Sequence, residues 1–280
     1  MIGRGATRAA RVTRRRGTES TRVRDTLAVE EPLEIRVSWT AADGRKRAEP
    51  LAVTMRTPGE DFDLVAGFLH GEGIISRAED LTEMTYCRGD DAQEYNVVEA
   101  RLAAEVPFDL ERLRRNFYAT SSCGVCGKAS LDALEAVGCR VLPDGFALDA
   151  MLVPGLPDRL RAAQAVFART GGLHAAGLFD ASGELRAARE DVGRHNAVDK
   201  VLGSALLART LPGSDLILVV SGRASFELVQ KAVMAGVPAL VAVGAPSSLA
   251  VDLAGRFAQT LIGFARDGGF NVYAGEQRLR

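Results

Sequence analysis

A chain of 280 residues, 47% hydrophobic and 25% charged, has the average make-up of a soluble globular protein, with room for one large or two modest domains at roughly 150 residues each. This composition excludes a wholly disordered chain, a collagen-like fibre and a coiled-coil rod, and the lack of a run of about 18 uncharged apolar residues argues against a transmembrane helix. The formal charge of −1 hides two unlike parts: residues 1–24 hold eight Arg against one Glu, whereas the rest holds 27 basic against 35 acidic residues, a balance unsuited to duplex nucleic acid.

Residues 1–21 are poor in apolar residues and rich in Gly, Thr and Ser, so a disordered basic arm is expected, making at most a weak contact with an acidic partner. No apolar stretch follows Arg14, Arg15 and Arg16, so the arm does not read as a secretion signal, and the expected compartment is the reducing cytoplasm. Residues 22–121 read as a β-rich portion with one helix. Strands are predicted over 22–30 and 33–39, with Ala41-Ala42-Asp43-Gly44 turning into an extended stretch at 51–56. Thr57-Pro58-Gly59-Glu60 predicts a helix start, with Thr57 as cap, Pro58 in the first turn and Glu60 closing a capping box. Leu64, Val65, Phe68 and Leu69 give that helix an apolar stripe, and Gly71 and Gly73 end it. Further strands are predicted over 84–88 and 95–102 around a turn at Gly89-Asp90-Asp91, before a charged connector over 106–121.

Residues 122–157 hold a Cys-x-x-Cys loop, a helix over 128–137 stopped by Gly138, and a turn-rich linker over 143–157. The pattern over 158–280 is α/β. A helix is expected over 158–169, broken at Gly171-Gly172, then strands over 173–179 and 184–189 around Ala181-Ser182-Gly183. Helices at 195–207, 225–235 and 247–257, the last capped by Ser247, alternate with apolar strands at 216–220, 239–243 and 260–264. Such alternation argues for βαβ units.

The strongest chemical feature is Ser121-Ser122-Cys123-Gly124-Val125-Cys126-Gly127-Lys128. Cys87 and Cys139 stand alone; Cys123 and Cys126 share one environment at the start of a predicted helix. Backbone N–H groups at a helix N-terminus and the nearby Lys128 favour a thiolate, which can attack a disulfide, bind a metal or accept sulfur as a persulfide. The metal alternative has a definite form. His70-Gly71-Glu72 with Cys123 and Cys126 mimics the zinc signature of nucleotide deaminases, in which Glu moves protons. Ser122 stands where that signature has Pro, and two strands and a connector separate His70 from Cys123, which count against it.

Polar residues also collect where strands meet helices, the edge at which open α/β sheets bind ligands. In the stretch 190–200, Arg194 and Lys200 could hold phosphate, Asp191 or Asn196 could orient a hydroxyl, and His195 opens a helix; capping and ion pairs are the bland alternative. Ser221-Gly222-Arg223-Ala224-Ser225 follows a buried strand and could offer N–H groups to phosphate, though it is no Walker A loop. Phe264, Ala265, Arg266, Asp267, Gly268 and Gly269 form another polar, glycine-bearing loop at a strand end. His174 could place an imidazole beside these loops or serve the core.

Together these residues resemble the FdhD family, the sulfurtransferase accessory proteins of formate dehydrogenases. The likeness runs from residue 23 to 279 and rests on Gly67-Phe68-Leu69 with Glu72-Gly73-Ile74-Ile75, Ser122-Cys123-Gly124-Val125-Cys126-Gly127, and Thr170-Gly171-Gly172 with His174-Ala175-Ala176. It continues through 190–200, 221–231 and 261–266 to Val272-Tyr273. The resemblance implies a cytidine-deaminase-like α/β fold, a mixed sheet with helices, without the zinc site, plus the β-rich N-terminal portion. It implies a homodimer that takes sulfur from an IscS-type cysteine desulfurase. The sulfur then passes to the molybdenum cofactor, as bis-molybdopterin guanine dinucleotide, before that cofactor enters formate dehydrogenase. By the same resemblance Cys123 carries the persulfide, Cys126 supports it, the segment from Phe264 binds cofactor, and His70 is incidental. With Arg266 of that segment, Arg194, Lys200 and Arg223 could neutralise the polyanion, and His195 and Ser221 would complete the binding site.

Overall fold

The computed structural model describes residues 5–41, 43–87, 95–108 and 138–280. The turn expected at residues 89–91, Cys123, Cys126 and the helix expected over 128–137 lie outside the described residues.

The N-terminal arm is a strand pair. β1 (Thr7–Arg16) and β2 (Glu19–Ala28) form an antiparallel ribbon with unbroken register around Gly17 and Thr18. The expectation of disorder is corrected here. Thr and Val recur on both strands, favouring extended backbone, and the ladder satisfies the main chain without a hydrophobic face. The ribbon's base is fixed: Arg169 Nη2 donates to Thr7 Oγ1 at 2.7 Å, and Ala28 packs beside Gly172.

A four-stranded sheet follows, built from β3 (Glu31–Thr40), β4 (Lys46–Arg56), β5 (Leu81–Tyr86) and β6 (Val97–Leu102) in the order β4-β3-β6-β5. Strand alternation aims Leu33, Ile35 and Val37 of β3 and Val98, Ala100 and Leu102 of β6 at the core. Helix α1 (Asp61–Gly71) lays Leu64, Val65 and Leu69 on the same core. It begins later than its capping signature suggests. Glu60 is left-handed (φ 52°) and makes no side-chain cap; Asp61 instead grips Arg56 through two 3.0 Å hydrogen bonds.

The C-terminal unit is a six-stranded mixed sheet in the order β12-β11-β10-β9-β7-β8. Its strands are β7 (His174–Asp180), β8 (Leu185–Asp191), β9 (Leu216–Val220), β10 (Ala239–Ala242), β11 (Thr260–Arg266) and β12 (Gly269–Ala274). β9, β10 and β11 run parallel, and β7, β8 and β12 antiparallel to their neighbours. Helices α2 (Leu156–Ala162), α3 (Ala165–Thr170), α4 (Arg194–Leu207), α5 (Phe226–Met234) and α6 (Ser248–Arg256) accompany it. Leu218, Val220, Leu240 and Ala242 face one core, and Ile217, Val219, Ala239 and Val241 the other. Both faces are covered, which is why β9 and β10 read as unbroken apolar runs. Ser247 caps α6 as its sequence predicts, accepting from Ala250 N at 3.3 Å.

Two more expectations are revised. The helix at 158–169 is two short helices meeting at Gln164, and the first begins at Leu156, inside the expected linker. The loop from Phe264 to Gly269 is mostly strand: only Asp267 (φ 53°) and Gly268 (φ 78°) turn, joining β11 to β12, which the sequence reading missed. The two sheets also form one body. α1 crosses α4 so closely that a Cβ on Gly67 would lie 1.8 Å from the Asp199 carbonyl oxygen, and one on Gly203 1.9 Å from that of Asp63. Only glycine permits that approach. In these features the molecule is a mixed α/β fold, as expected.

Candidate functional site

The parallel strands β9, β10 and β11 end at one edge of the sheet, where β7 begins and β8 finishes. The loops there are bonded to each other: Gly244 N donates to Gly222 O, Ser247 N to Ala224 O and Phe264 N to Gly244 O. Against this edge lies a cavity of about 740 Å³, walled on its far side by α2, α3 and Gly171-Gly172. Its polar lining includes Asp158, Arg161, Gln164, His174, Ser221, Arg266 and Asp267.

The expected ligand-binding residues divide. Ser221, Ala265, Arg266, Asp267 and Gly268 line the cavity. Ser221 Oγ accepts from Ala175 N at 2.9 Å, which fixes the loop to β7. Ala265 is fully buried in the core beneath the cavity, while the Arg266 and Asp267 side chains are well exposed. Phe264, Gly269, Arg194, His195 and Arg223 lie outside the lining. Phe264 is partly exposed with φ +53° at an irregular point of the β11/β12 pairing, and Arg266 stacks 5.7 Å from its ring. His195 Nε2 contacts Ser225 Oγ at 3.2 Å and Glu227 Oε2 at 3.6 Å, and holds the Glu227 carboxyl down at about 2. Arg223 is exposed, its backbone packed against Gly244. Arg194 sits near His174; burial, then the charges of Arg194 and His195, lower the His174 pKa, so its imidazole stays neutral near pH 7.

Two polar atoms here are buried and unpartnered: Gln164 Nε2, in a residue only 4% exposed that lines the cavity, and Arg194 Nε. An unmade buried hydrogen bond costs about 1–3 kcal/mol, so an acceptor arriving in the cavity would find a ready donor in Gln164. Nothing in the sequence singles out Gln164, Arg161 or Phe167, because the single long helix expected there gives no reason to place them at a wall. Arg161 stacks over Phe167 at 3.6 Å.

The polar stretch 190–200 proves mainly structural. The Asp191 carboxylate, fully buried, accepts from Thr57 N (3.0 Å), Gly193 N (2.8 Å), Asn196 Nδ2 (3.0 Å) and Lys200 Nζ (2.8 Å). Lys200 Nζ also donates to Thr57 O at 2.9 Å. Thr57, the expected helix cap, thus belongs to this clamp between β4 and the C-terminal sheet, and its Oγ1 accepts from Val192 N. Lys200, 1% exposed, is not available to phosphate, contrary to expectation. Glu190 receives Val166 N (2.8 Å) and Phe167 N (2.7 Å), which fixes α3 and with it the cavity wall.

The described thiols are poor nucleophiles. Burial pushes Cys139 up to about 12, and burial followed by the Glu99 charge raises Cys87. His70 and Glu72 lie around the buried Lys231–Asp199 pair (2.7 Å); burial and the Lys231 ammonium lower His70 to about 4, and burial raises Glu72. A cation at that spot opposes the approach of a second one.

Residues 28–280 match the model of the FdhD/NarQ family. The chain is 54% identical to the sulfur carrier protein FdhD of Streptomyces avermitilis, over 99% of this chain and 97% of that one. It is 52% identical to the protein of that name from Mycobacterium tuberculosis, over 91% and 92%. A crystal structure of a protein from Desulfotalea psychrophila, described as a formate dehydrogenase accessory protein, superposes with a TM-score of 0.76 at 25% identity, covering 98% of this chain and all of the other.

Proposed function

The chain belongs to the FdhD/NarQ family, and from that premise we propose that it is a sulfur carrier, acting as a sulfurtransferase in the maturation of formate dehydrogenase. The observation that carries this reading is the Cys123-Gly124-Val125-Cys126 pair in a chain so close, along its whole length, to a named sulfur carrier. A cysteine desulfurase of the IscS type presents a persulfide. The Cys123 thiolate attacks its outer sulfur, the S–S bond breaks, and the desulfurase cysteine leaves as thiolate while Cys123 keeps the sulfur. Cys126 supports the loaded state, and the sulfur passes to the molybdenum cofactor as bis-molybdopterin guanine dinucleotide. The reading includes a homodimer working in the cytoplasm; among the described residues no helix is long and apolar enough to cross a membrane.

Two features support the division of labour. Cys87 and Cys139 are held as thiols, which leaves the nucleophile to the Cys123 pair. The cavity at the strand ends, with Gln164 Nε2 unpartnered and Arg161 and Arg266 at its lining, suits a polar anionic cargo. In cells lacking their own carrier, Cys123→Ala should abolish formate dehydrogenase activity and Cys126→Ala should lower it. Full activity with Cys123→Ser would make the protein a cofactor chaperone and defeat the sulfur-carrier reading.

A further inference from the structure

The β1–β2 ribbon carries arginines at 8, 11, 14, 15, 16, 22 and 24, and none of their side chains has a hydrogen-bond or ion-pair partner among the described residues. Unbroken register sorts them by face. Arg8, Arg14 and Arg16 share one face with Asp25, Glu19, Val12, Val23 and Leu27, so that face is electrically mixed. The other bears Arg11, Arg15, Arg22 and Arg24 with Thr, Ala and Ser alone. On it Arg11 stands directly opposite Arg24, a like-charge cross-strand pair that disfavours the ribbon until an anion bridges it.

The same face carries Thr7 and Ala28, the residues through which the ribbon meets Arg169 and Gly172 beside the cavity. Arg11 and Arg24 therefore stand about 13 Å along the ribbon from its anchored base beside the cavity, four residues along an extended strand. A cavity of about 740 Å³ holds one drug-sized ligand; a cargo with two guanine-nucleotide arms overhangs it. We propose that the Arg11–Arg15–Arg22–Arg24 face of the ribbon binds the pyrophosphate of a cargo arm that projects from the cavity. This rests on the cargo reading above. Guanidinium forks match phosphate oxygens in pairs, and opposed arginines about 5 Å apart can grip one pyrophosphate from both strands.

The test is calorimetric titration of the full chain with diguanosine pyrophosphate, two guanosines joined through a pyrophosphate, and with guanosine as the phosphate-free control. Arg11→Gln/Arg24→Gln should weaken the pyrophosphate ligand at least about tenfold and leave guanosine unchanged, and Arg11→Lys/Arg24→Lys should fall between. Arg14→Gln/Arg16→Gln, on the opposite face, should stay within about twofold of the parent. Sulfur loading at Cys123 should be equal in all variants, which shows them folded. Unchanged affinity in the Arg11/Arg24 variant overturns the proposal and leaves the cargo reading intact. Equal losses from both faces overturn it in favour of a diffuse positive field. Normal nucleotide binding with lost capture of the desulfurase overturns it in favour of an acidic protein surface. If the parent binds neither probe yet loads sulfur, the cargo reading falls and the proposal with it.

Discussion

Lys200→Met tests whether the polar stretch after β8 is a clamp or a ligand site. The substitution keeps much of the side-chain volume and removes the ammonium. Lys200 and Asp191 are 1% and 0% exposed, 2.8 Å apart. Removing one member of such a pair strands a buried charge and costs about 3–5 kcal/mol. The Asp191 carboxylate keeps three other donors, Thr57 N, Gly193 N and Asn196 Nδ2, which places the cost nearer about 3. Thr57 O loses its Nζ donor as well, so the link from β4 to the C-terminal sheet loosens with the pair. Against a typical total stability of about 5–15 kcal/mol, that is a large fraction. Urea unfolding of Lys200→Met, Asp191→Asn and the double variant gives the coupling, expected at about 2–3 kcal/mol because the double variant strands no charge. A loss under about 1 kcal/mol with additive singles, joined to a collapse of nucleotide binding, would refute the clamp and restore Lys200 as a phosphate ligand.

His70 supplies a pH dependence. Its pKa falls from the ordinary 6.5 to about 4 on folding, first through burial and then through Lys231. Between those values the unfolded chain binds the proton that the folded chain refuses, so stability present above about pH 6.5 is lost as pH falls towards 4. The full loss is about 3 kcal/mol, and His70→Gln should flatten that part of a pH–stability curve; an unchanged curve contradicts the burial argument. Gly203→Ala places a Cβ 1.9 Å from the Asp63 carbonyl oxygen and should destabilise by about 3 kcal/mol or more, seen as a lower melting temperature. A neutral Gly203→Ala would show that α1 and α4 do not cross as closely as described.

The C-terminal strands were legible because their environment is uniform. β9 and β10 are covered on both faces, so their apolar runs match the structure almost residue for residue, and Ser247 caps α6 through a purely local bond. Where a distant partner decides, local patterns mislead. Thr57 has every mark of a helix cap, but the Asp191 carboxylate, 134 positions away, takes its N–H. The polar density at 190–200 looked like a binding loop because sequence does not display burial; most of those groups satisfy one another. The ribbon is legible only in part: a strand predicted over 22–30 overlaps β2, whereas β1, an arginine-rich run with few apolar residues, reads as disorder and is held by its ladder. β12 is hidden because Asp267-Gly268 sits in a polar, glycine-bearing stretch that reads as a loop, although such a pair is also a tight-turn signal. Of the residues around the cavity, the strand-end loops stand out in the sequence as polar, glycine-bearing stretches and the α2–α3 wall does not, because Gln164 reaches the lining only where two short helices meet.

The decisive measurement is the mass of the intact chain after incubation with a cysteine desulfurase and cysteine, followed by mapping of the modified peptide. One added sulfur is expected, on the peptide containing Cys123, removed by reductant and absent from Cys123→Ala. A chain that gains no sulfur, or a Cys123→Ala chain that loads fully, would contradict the account.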